Sequence, residues 1–329
     1  MSGNNEQSNF QRWMQRGGWQ KPLVMVCFMT IPLLLLIVFT YLPFFKMIQF
    51  SLYKMKYLGA RKWVGFDNYI AVFQRDDCFR ALLLSGYYMV GAVIQLALAL
   101  FFATLLSFKT KCSGLFKGTI FFPYLVGGIA VGFIFKFFYT PGFVLDTILS
   151  WVGFSKDSMP NWLEDKSINN WALVATSVWR YTGQNMILFI GAIMSVDAEM
   201  YEAADLDGAN NFQRFLYIIL PSIKTIVVLN LILSISGSLS AFEPPYVITG
   251  GFRGTETYFV AMDRLAHAQQ KVGLASAMAV VLLVIIVIVT VLQQVLMDVI
   301  FPDEEKKQAK RVEKEEKKAA KRAAKGMGV

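Results

Sequence analysis

Six apolar runs, each about as long as a bilayer's hydrocarbon core is thick, recur along the sequence. They lie at Leu23–Phe45, Leu82–Phe108, Thr119–Tyr139, Trp171–Val196, Ser222–Ile248 and Gly273–Phe301. A spanning helix needs about 20 predominantly apolar residues. Inside a bilayer every backbone polar group must be satisfied within the chain, which leaves the helix as the natural spanning element for such runs. The pattern predicts an all-α membrane protein with six transmembrane helices. Composition agrees: 55% of the 329 residues are apolar and 17% charged, a balance too apolar for a soluble chain of this size.

Charge then orients the spans. The formal net charge is +9, but much of it sits in the tail after Pro302, which carries ten Lys and Arg residues. It therefore does not argue for a nucleic-acid partner. The Ser107–Lys117 turn carries three more. Positive charge favours the cytoplasmic side, so both termini and the 197–221 loop are expected there. The basic stretch Lys46–Arg80 is expected outside; longer loops weigh less in this rule. The organisation expected is a cytoplasmic N-terminus over residues 1–22, a six-helix transmembrane domain over 23–301 and a charged cytoplasmic tail over 302–329. Arg12, Arg16 and Lys21 precede the first span, which reads as an uncleaved signal-anchor. In the tail, Glu313 and Lys317 stand four apart and suit a solvated helix.

Polar residues interrupt two runs. The fourth contains Ser177, Trp179, Arg180, Tyr181, Thr182, Gly183, Gln184 and Asn185. An arginine at membrane depth costs about 2.5–3.5 kcal/mol on insertion scales, so it should face a partner or an aqueous cavity. Ser177, Arg180, Tyr181 and Gln184 share one helical face and suit a hydroxylated ligand. The fifth run contains Asn230, Ser234, Ser236, Gly237, Ser238, Ser240, Ala241, Phe242 and Glu243, then Pro244 and Pro245. That composition predicts a helix broken at membrane depth, where transporters place their sites. Arg180 and Glu243 either face a ligand or pair only with each other, or one of them lies at the interface. Two further local features are expected: a kink at Pro123, and close packing of the second span through Gly91, Ala99 and Ala103.

The one strongly polar insert between spans in the C-terminal half is Tyr201–Pro221. Glu202, Ala203 and Ala204 favour helix. Gly208 permits a sharp turn, and Phe212, Phe215 and Ile219 form an apolar stripe of a second short helix expected to stop at Pro221. A helix–turn–helix knob of this kind is either a surface loop or a grip for a partner.

No phosphate-binding Gly-rich loop, metal-ligand cluster or Ser/His/Asp set is present. Cys27, Cys78 and Cys112 lack redox or metal spacing, and the lone His267 reads as a polar rim residue. The chain is therefore not expected to be an enzyme, with no catalytic residue, no metal site and no cofactor of its own. An ion-coupled secondary transporter using Arg180 and Glu243 is the alternative, and an integral-membrane enzyme has no constellation to support it.

Glu202-Ala203-Ala204, Asp207-Gly208-Ala209, Ile218 and Leu220-Pro221 resemble the Glu-Ala-Ala (EAA) motif of permease subunits of bacterial binding-protein-dependent ABC importers. Gly65–Tyr69, Trp179–Met186, Phe242–Gly251 and Gly273–Ala277 resemble further stretches of the carbohydrate-type permeases, similar to the maltose-type larger subunit. Asp197 and Phe252 stand where relatives usually carry proline. The resemblance implies the type I importer permease fold, with a cytoplasmic coupling helix–turn–helix over 197–221. It implies that Glu202, Ala203, Ala204, Asp207, Gly208, Leu220 and Pro221 couple to a cytoplasmic ATPase, Glu202 by a charged contact and Gly208 by the turn. It also implies a second permease subunit, two ATPase copies that hold ATP and Mg, an extracytoplasmic sugar-binding protein and a multi-pass place in the bacterial inner membrane. Sugar contacts transferred by position are Ser177, Arg180, Tyr181, Gln184 and the region of Ser238 and Ala241. Asn185, Phe242 and Glu243 complete the expected pathway. Related polyols or glycerol-phosphate-type substrates remain an alternative, and Arg180 motivates the hypothesis of an acidic or otherwise decorated oligosaccharide.

Overall fold

The computed structural model describes residues 20–108, 111–155 and 158–300. The polar N-terminus and the charged tail with its Glu313–Lys317 spacing lie outside the described residues. In chain order the elements are α1 (Gln20–Leu36), α2 (Leu42–Ser51), β1 (Tyr53–Lys54), β2 (Lys62–Trp63), α3 (Asp67–Phe73), α4 (Asp76–Ser107), α5 (Ser113–Leu125), α6 (Gly128–Phe138), α7 (Val144–Trp151), α8 (Asn169–Met194), α9 (Ala198–Leu206), α10 (Asn211–Arg214), α11 (Leu220–Leu239), α12 (Tyr258–Asp263) and α13 (Val272–Ile300).

Among the described residues, four helical stretches are long and apolar enough to cross a membrane: Pro22–Ser51, Asp76–Ser107, Asn211–Leu239 and Val272–Val299. A fifth forms if α5 and α6, bent by 98° at their junction, count as one broken span. The fourth expected span is α8, whose 26 residues would extend about 39 Å at 1.5 Å per residue. Its hydropathy is lowered by the polar residues singled out above. Each of the six expected positions thus carries helix.

Proline shapes these helices differently from expectation. Pro123 lies buried inside α5, and the break comes three residues later, at Val126 and Gly127, whose ψ angles of 129° and 139° leave the helical region. Nor does the chain stop at Pro221: α10 runs through a π turn at Phe215–Ile219 directly into α11. The π turn explains this. Leu220 N–H bonds back five residues to the Phe215 carbonyl, and this local re-registration lets a proline enter the next turn without ending the helix. The first span repeats the device, with a π turn at Ile37–Tyr41 followed by Pro43 in α2.

Two compact units divide the chain. Among the described residues, one comprises 20–72 and 265–280, the other 73–264 and 281–300. In the first unit, α1 and the following π turn are exposed along the whole apolar run. The β1–β2 hairpin pairs Tyr53 with Trp63, their rings edge-to-face at 5.0 Å. Asn68 Nδ2 donates to the carbonyls of Ser51 (2.7 Å) and Tyr53 (3.0 Å), and the Tyr69 hydroxyl meets Ser51 Oγ at 2.6 Å. The Gly65–Tyr69 segment is thereby a clasp on the end of the first span. Gly273 packs there too, because a Cβ on it would fall 1.8 Å from the Tyr53 carbonyl oxygen. His267 stacks on Tyr57.

The second unit is built on α4 against α8. Leu96, Ala99, Ala103 and Leu106 of α4 pack with Met186, Phe189, Ile190 and Ile193 of α8, and with Ile219 and Ile223 at the start of α11. Ala99 and Ala103 are fully buried, as the small-residue reading of the second span predicted. On α8 the buried positions Met186, Phe189, Ile190 and Ile193 follow helical spacing and leave Ser177, Arg180, Tyr181 and Gln184 on another face.

Candidate functional site

Three elements of the second unit enclose a cavity of about 390 Å³, within the usual range of small-molecule sites. α4 contributes Tyr88 and Gln95, α8 contributes Ser177, Tyr181, Gln184 and Asn185, and α11 contributes Asn230, Ser234 and Ser238. The segment after α11 closes it with Ala241, Phe242 and Glu243. Eight of the nine pathway residues expected from the sequence therefore line this one cavity: Ser177, Tyr181, Gln184, Asn185, Ser238, Ala241, Phe242 and Glu243. Arg180 does not line it. Its guanidinium pairs with the Glu243 carboxylate, contacts the Tyr181 hydroxyl at 3.2 Å and lies 5.0 Å over the Tyr181 ring. Its side chain is 13% exposed against 37% for Glu243. The two intramembrane charges found in the sequence are thus partners, with the acid facing the cavity.

The broken fifth span positions that acid. α11 ends at Leu239, Ser240 leaves helical geometry, and helix resumes at Glu243. Pro244 and Pro245 open the resumed segment, where a missing N–H removes no helical hydrogen bond. The Ala241 carbonyl exposed by the break accepts from Thr257 Oγ1 at 2.6 Å. The resumed π turn, Pro245–Thr249, ends at Gly250 with φ +64°. Against it packs α6: a Cβ at Gly132 would fall 2.6 Å from Val247 Cβ, and one at Gly128 would fall 2.0 Å from Glu243 Oε2. Bare glycine at both positions lets the two broken spans meet around Glu243.

Sequence reasoning missed the whole α4 wall. Gln95 carried a signal, as the one carboxamide in an otherwise apolar span. Tyr88 carried none, but its buried hydroxyl has no hydrogen-bond partner.

The second candidate site is the knob, also in this unit. Asp197 caps α9, accepting from Glu199 N–H at 3.1 Å, and so starts the helix. α9 ends in a Schellman motif: Ala209 N–H reaches the Ala204 carbonyl (2.9 Å), Gly208 N–H reaches Asp205 (3.2 Å), and Gly208 has φ +72°. Asn210 and Gln213 form a reciprocal capping box that starts α10. Arg214 ties the two helices together through an ion pair to Asp205 and a 3.1 Å bond to the Ala209 carbonyl. Tyr201 anchors the knob edge-on to Phe108. Of the expected coupling residues, Glu202, Ala203, Asp207 and Gly208 are exposed and Ala204 is buried. Leu220 and Pro221 belong instead to the first turn of α11. Leu206, which the motif did not single out, is 90% exposed at the tip.

Residues 112–298 match the family model described as a binding-protein-dependent transport system inner membrane component. The chain is similar to the probable ABC transporter permease protein YesP of Bacillus subtilis, 29% identical over 74% of this chain and 80% of the relative. It is also similar to the diacetylchitobiose uptake system permease protein NgcF of Streptomyces coelicolor, 31% identical over 78% and 77% of the two chains. A solved bacterial ABC transporter involved in import of the acidic polysaccharide alginate superposes with a TM-score of 0.74 over 88% of this chain and 99% of the other, at 17% identity. That last likeness speaks for the fold.

Proposed function

The chain belongs to the family of binding-protein-dependent transport system inner membrane components, and from that premise we propose that it is the permease subunit of an ATP-driven importer of oligosaccharides. It is a multi-pass membrane protein and a transport subunit. The observation that carries the substrate reading is the convergence of amide, hydroxyl and aromatic side chains on one cavity beside a broken span. Saccharides are bound by such sets, in which hydroxyl-matching hydrogen bonds surround an apolar ring platform. The stacked pair Phe242–Tyr246, with centroids 4.6 Å apart, stands beside that cavity. A relative whose name specifies diacetylchitobiose uptake supports the same class.

Energy enters, in this reading, at the knob. A braced helix–turn–helix with an exposed Glu202 and a protruding Leu206 suits a cleft on a cytoplasmic ATPase, present in two copies that carry the ATP and Mg. A second permease completes the pathway, an extracytoplasmic binding protein delivers the sugar, and ATP-driven closure of the ATPases switches the side to which the cavity opens. The knob and both termini then face the cytoplasm of a bacterial inner membrane, with permease residues 23–301, coupling loop 197–221 and tail 302–329. The cofactors of the cycle sit on the partner subunits. Family membership sets aside the ion-coupled secondary transporter.

The test is co-purification and uptake. Glu202→Ala and Leu206→Asp are expected to lower ATPase recovery with the permease and to abolish ATP-driven uptake in proteoliposomes, while the binding protein keeps its affinity for sugar. Full ATPase recovery with both variants overturns the coupling assignment.

A further inference from the structure

The charge of the cavity wall specifies more than a sugar. Among the described lining residues Glu243 is the one acidic side chain, and none is a lysine, arginine or histidine. Arg180 lies behind the wall, 13% exposed: its Nη1 bonds Glu243 and Tyr181, and its buried Nε has no partner. We propose that this site selects uncharged oligosaccharides and excludes uronate-type acidic ones, with Arg180 as a positioning residue for Glu243. The inference rests on the oligosaccharide reading above.

A ligand carboxylate entering this cavity would meet Glu243 in a medium of reduced dielectric, where like-charge repulsion is far stronger than in water. The Arg180 countercharge lies behind the carboxylate and so offsets this repulsion only in part. A carboxylate is also acceptor-only when ionised, so Glu243 can receive hydrogen bonds from sugar hydroxyls but cannot serve another acid. Tyr88 adds a hydroxyl that is buried at the same wall and has no protein partner, a group whose hydrogen bond is left for a ligand. Gln184 and Asn185 supply amides that donate and accept, again matched to hydroxyls. Arg180 keeps the acid in place: its guanidinium bonds Glu243 from behind, and Gly128 leaves room for the carboxylate beside the start of α6. At 17% identity the alginate importer shares the fold with this chain, so its acidic cargo does not carry over.

Direct binding measured without the binding protein tests the idea, because that protein's own preference is then absent. Neutral and uronate oligosaccharides of equal length are titrated calorimetrically into the purified permease–ATPase complex. The expected result is binding of the neutral series at least about tenfold tighter, with the preference shrinking by about tenfold in Glu243→Gln, which leaves Arg180 uncompensated. The double variant Arg180→Gln/Glu243→Gln carries no charge; it is expected to lose the discrimination while still binding neutral sugar. It also serves if the single variant does not assemble. Equal or tighter uronate binding by the wild-type complex overturns the inference and leaves the sugar reading standing. Binding of neither series, with the complex intact, overturns the sugar reading itself and this inference with it.

Discussion

Gly91 of α4 and Val174 of α8 meet where the two helices that wall the cavity cross, so closely that a Cβ on Gly91 would lie 2.4 Å from Val174 Cγ1. Val174 is buried and β-branched, hence stiff at χ1, and has little freedom to yield. Gly91→Ala is therefore expected to cost about 1–3 kcal/mol through overpacking. The measurement is the melting temperature of the detergent-solubilised complex. Val174→Ala in the same chain should restore most of the loss, since the clash is with its methyl. A Gly91→Ala protein that melts with the wild type would show the crossing to be looser than described.

A second glycine has no such suppressor. A Cβ at Gly183 would fall 2.1 Å from the Ile120 carbonyl oxygen and 2.7 Å from Phe121 Cα. Both are backbone atoms of α5, so relief requires moving a helix. Gly183→Ala should cost about 3 kcal/mol or more, the upper end of overpacking effects, and no substitution at Ile120 should rescue it. Yield and melting temperature of single and double variants check this, and rescue by Ile120→Ala would count against the backbone clash.

These contacts show which parts of the molecule could be read from sequence. Gly91, Ala99 and Ala103 were legible as a packing face because small residues at helical spacing have few other uses in a span. The knob's turn was legible at Gly208 because a left-handed residue ending a helix favours glycine. The wall contributed by α4 was not, since Tyr88 reaches the cavity only through the packing of α4 on α8. The end of the knob was misjudged because Pro221 normally stops a helix, and nothing local in the sequence announces the π turn that accommodates it. The two-residue strands at Tyr53 and Lys62 are too short to leave any periodicity.

Asn68 gives a test within the other unit. Its amide donates to two carbonyls at the end of the first span, those of Ser51 and Tyr53. Asn68→Ala leaves both without this donor, in a region where Ser51 is fully buried. The expected cost is about 1–3 kcal/mol for acceptors left unsatisfied. Limited proteolysis should then cut first between Leu52 and Phe66. A cleavage pattern identical to that of the wild type would sink the clasp.

Glu256 sets a pH dependence whose sign is fixed by burial. Desolvation raises its pKa above the ordinary glutamate value of 4.5, the attraction of Arg264 at 3.0 Å opposes this, and the nearby Asp77 adds to the rise. The folded protein thus holds the Glu256 proton to higher pH than the unfolded chain does. Between 4.5 and the raised folded value, the folded state binds more protons, so this residue's contribution to stability falls as pH rises through that window and is constant above it. Glu256→Gln removes the titration, and the Arg264 side chain, 45% exposed, stays solvated. The variant should melt nearly with the wild type below pH 4.5, gain on it as pH rises through that window and hold a constant lead above it. Melting curves of both proteins across that range decide the matter; a difference that narrows with rising pH would falsify the assignment.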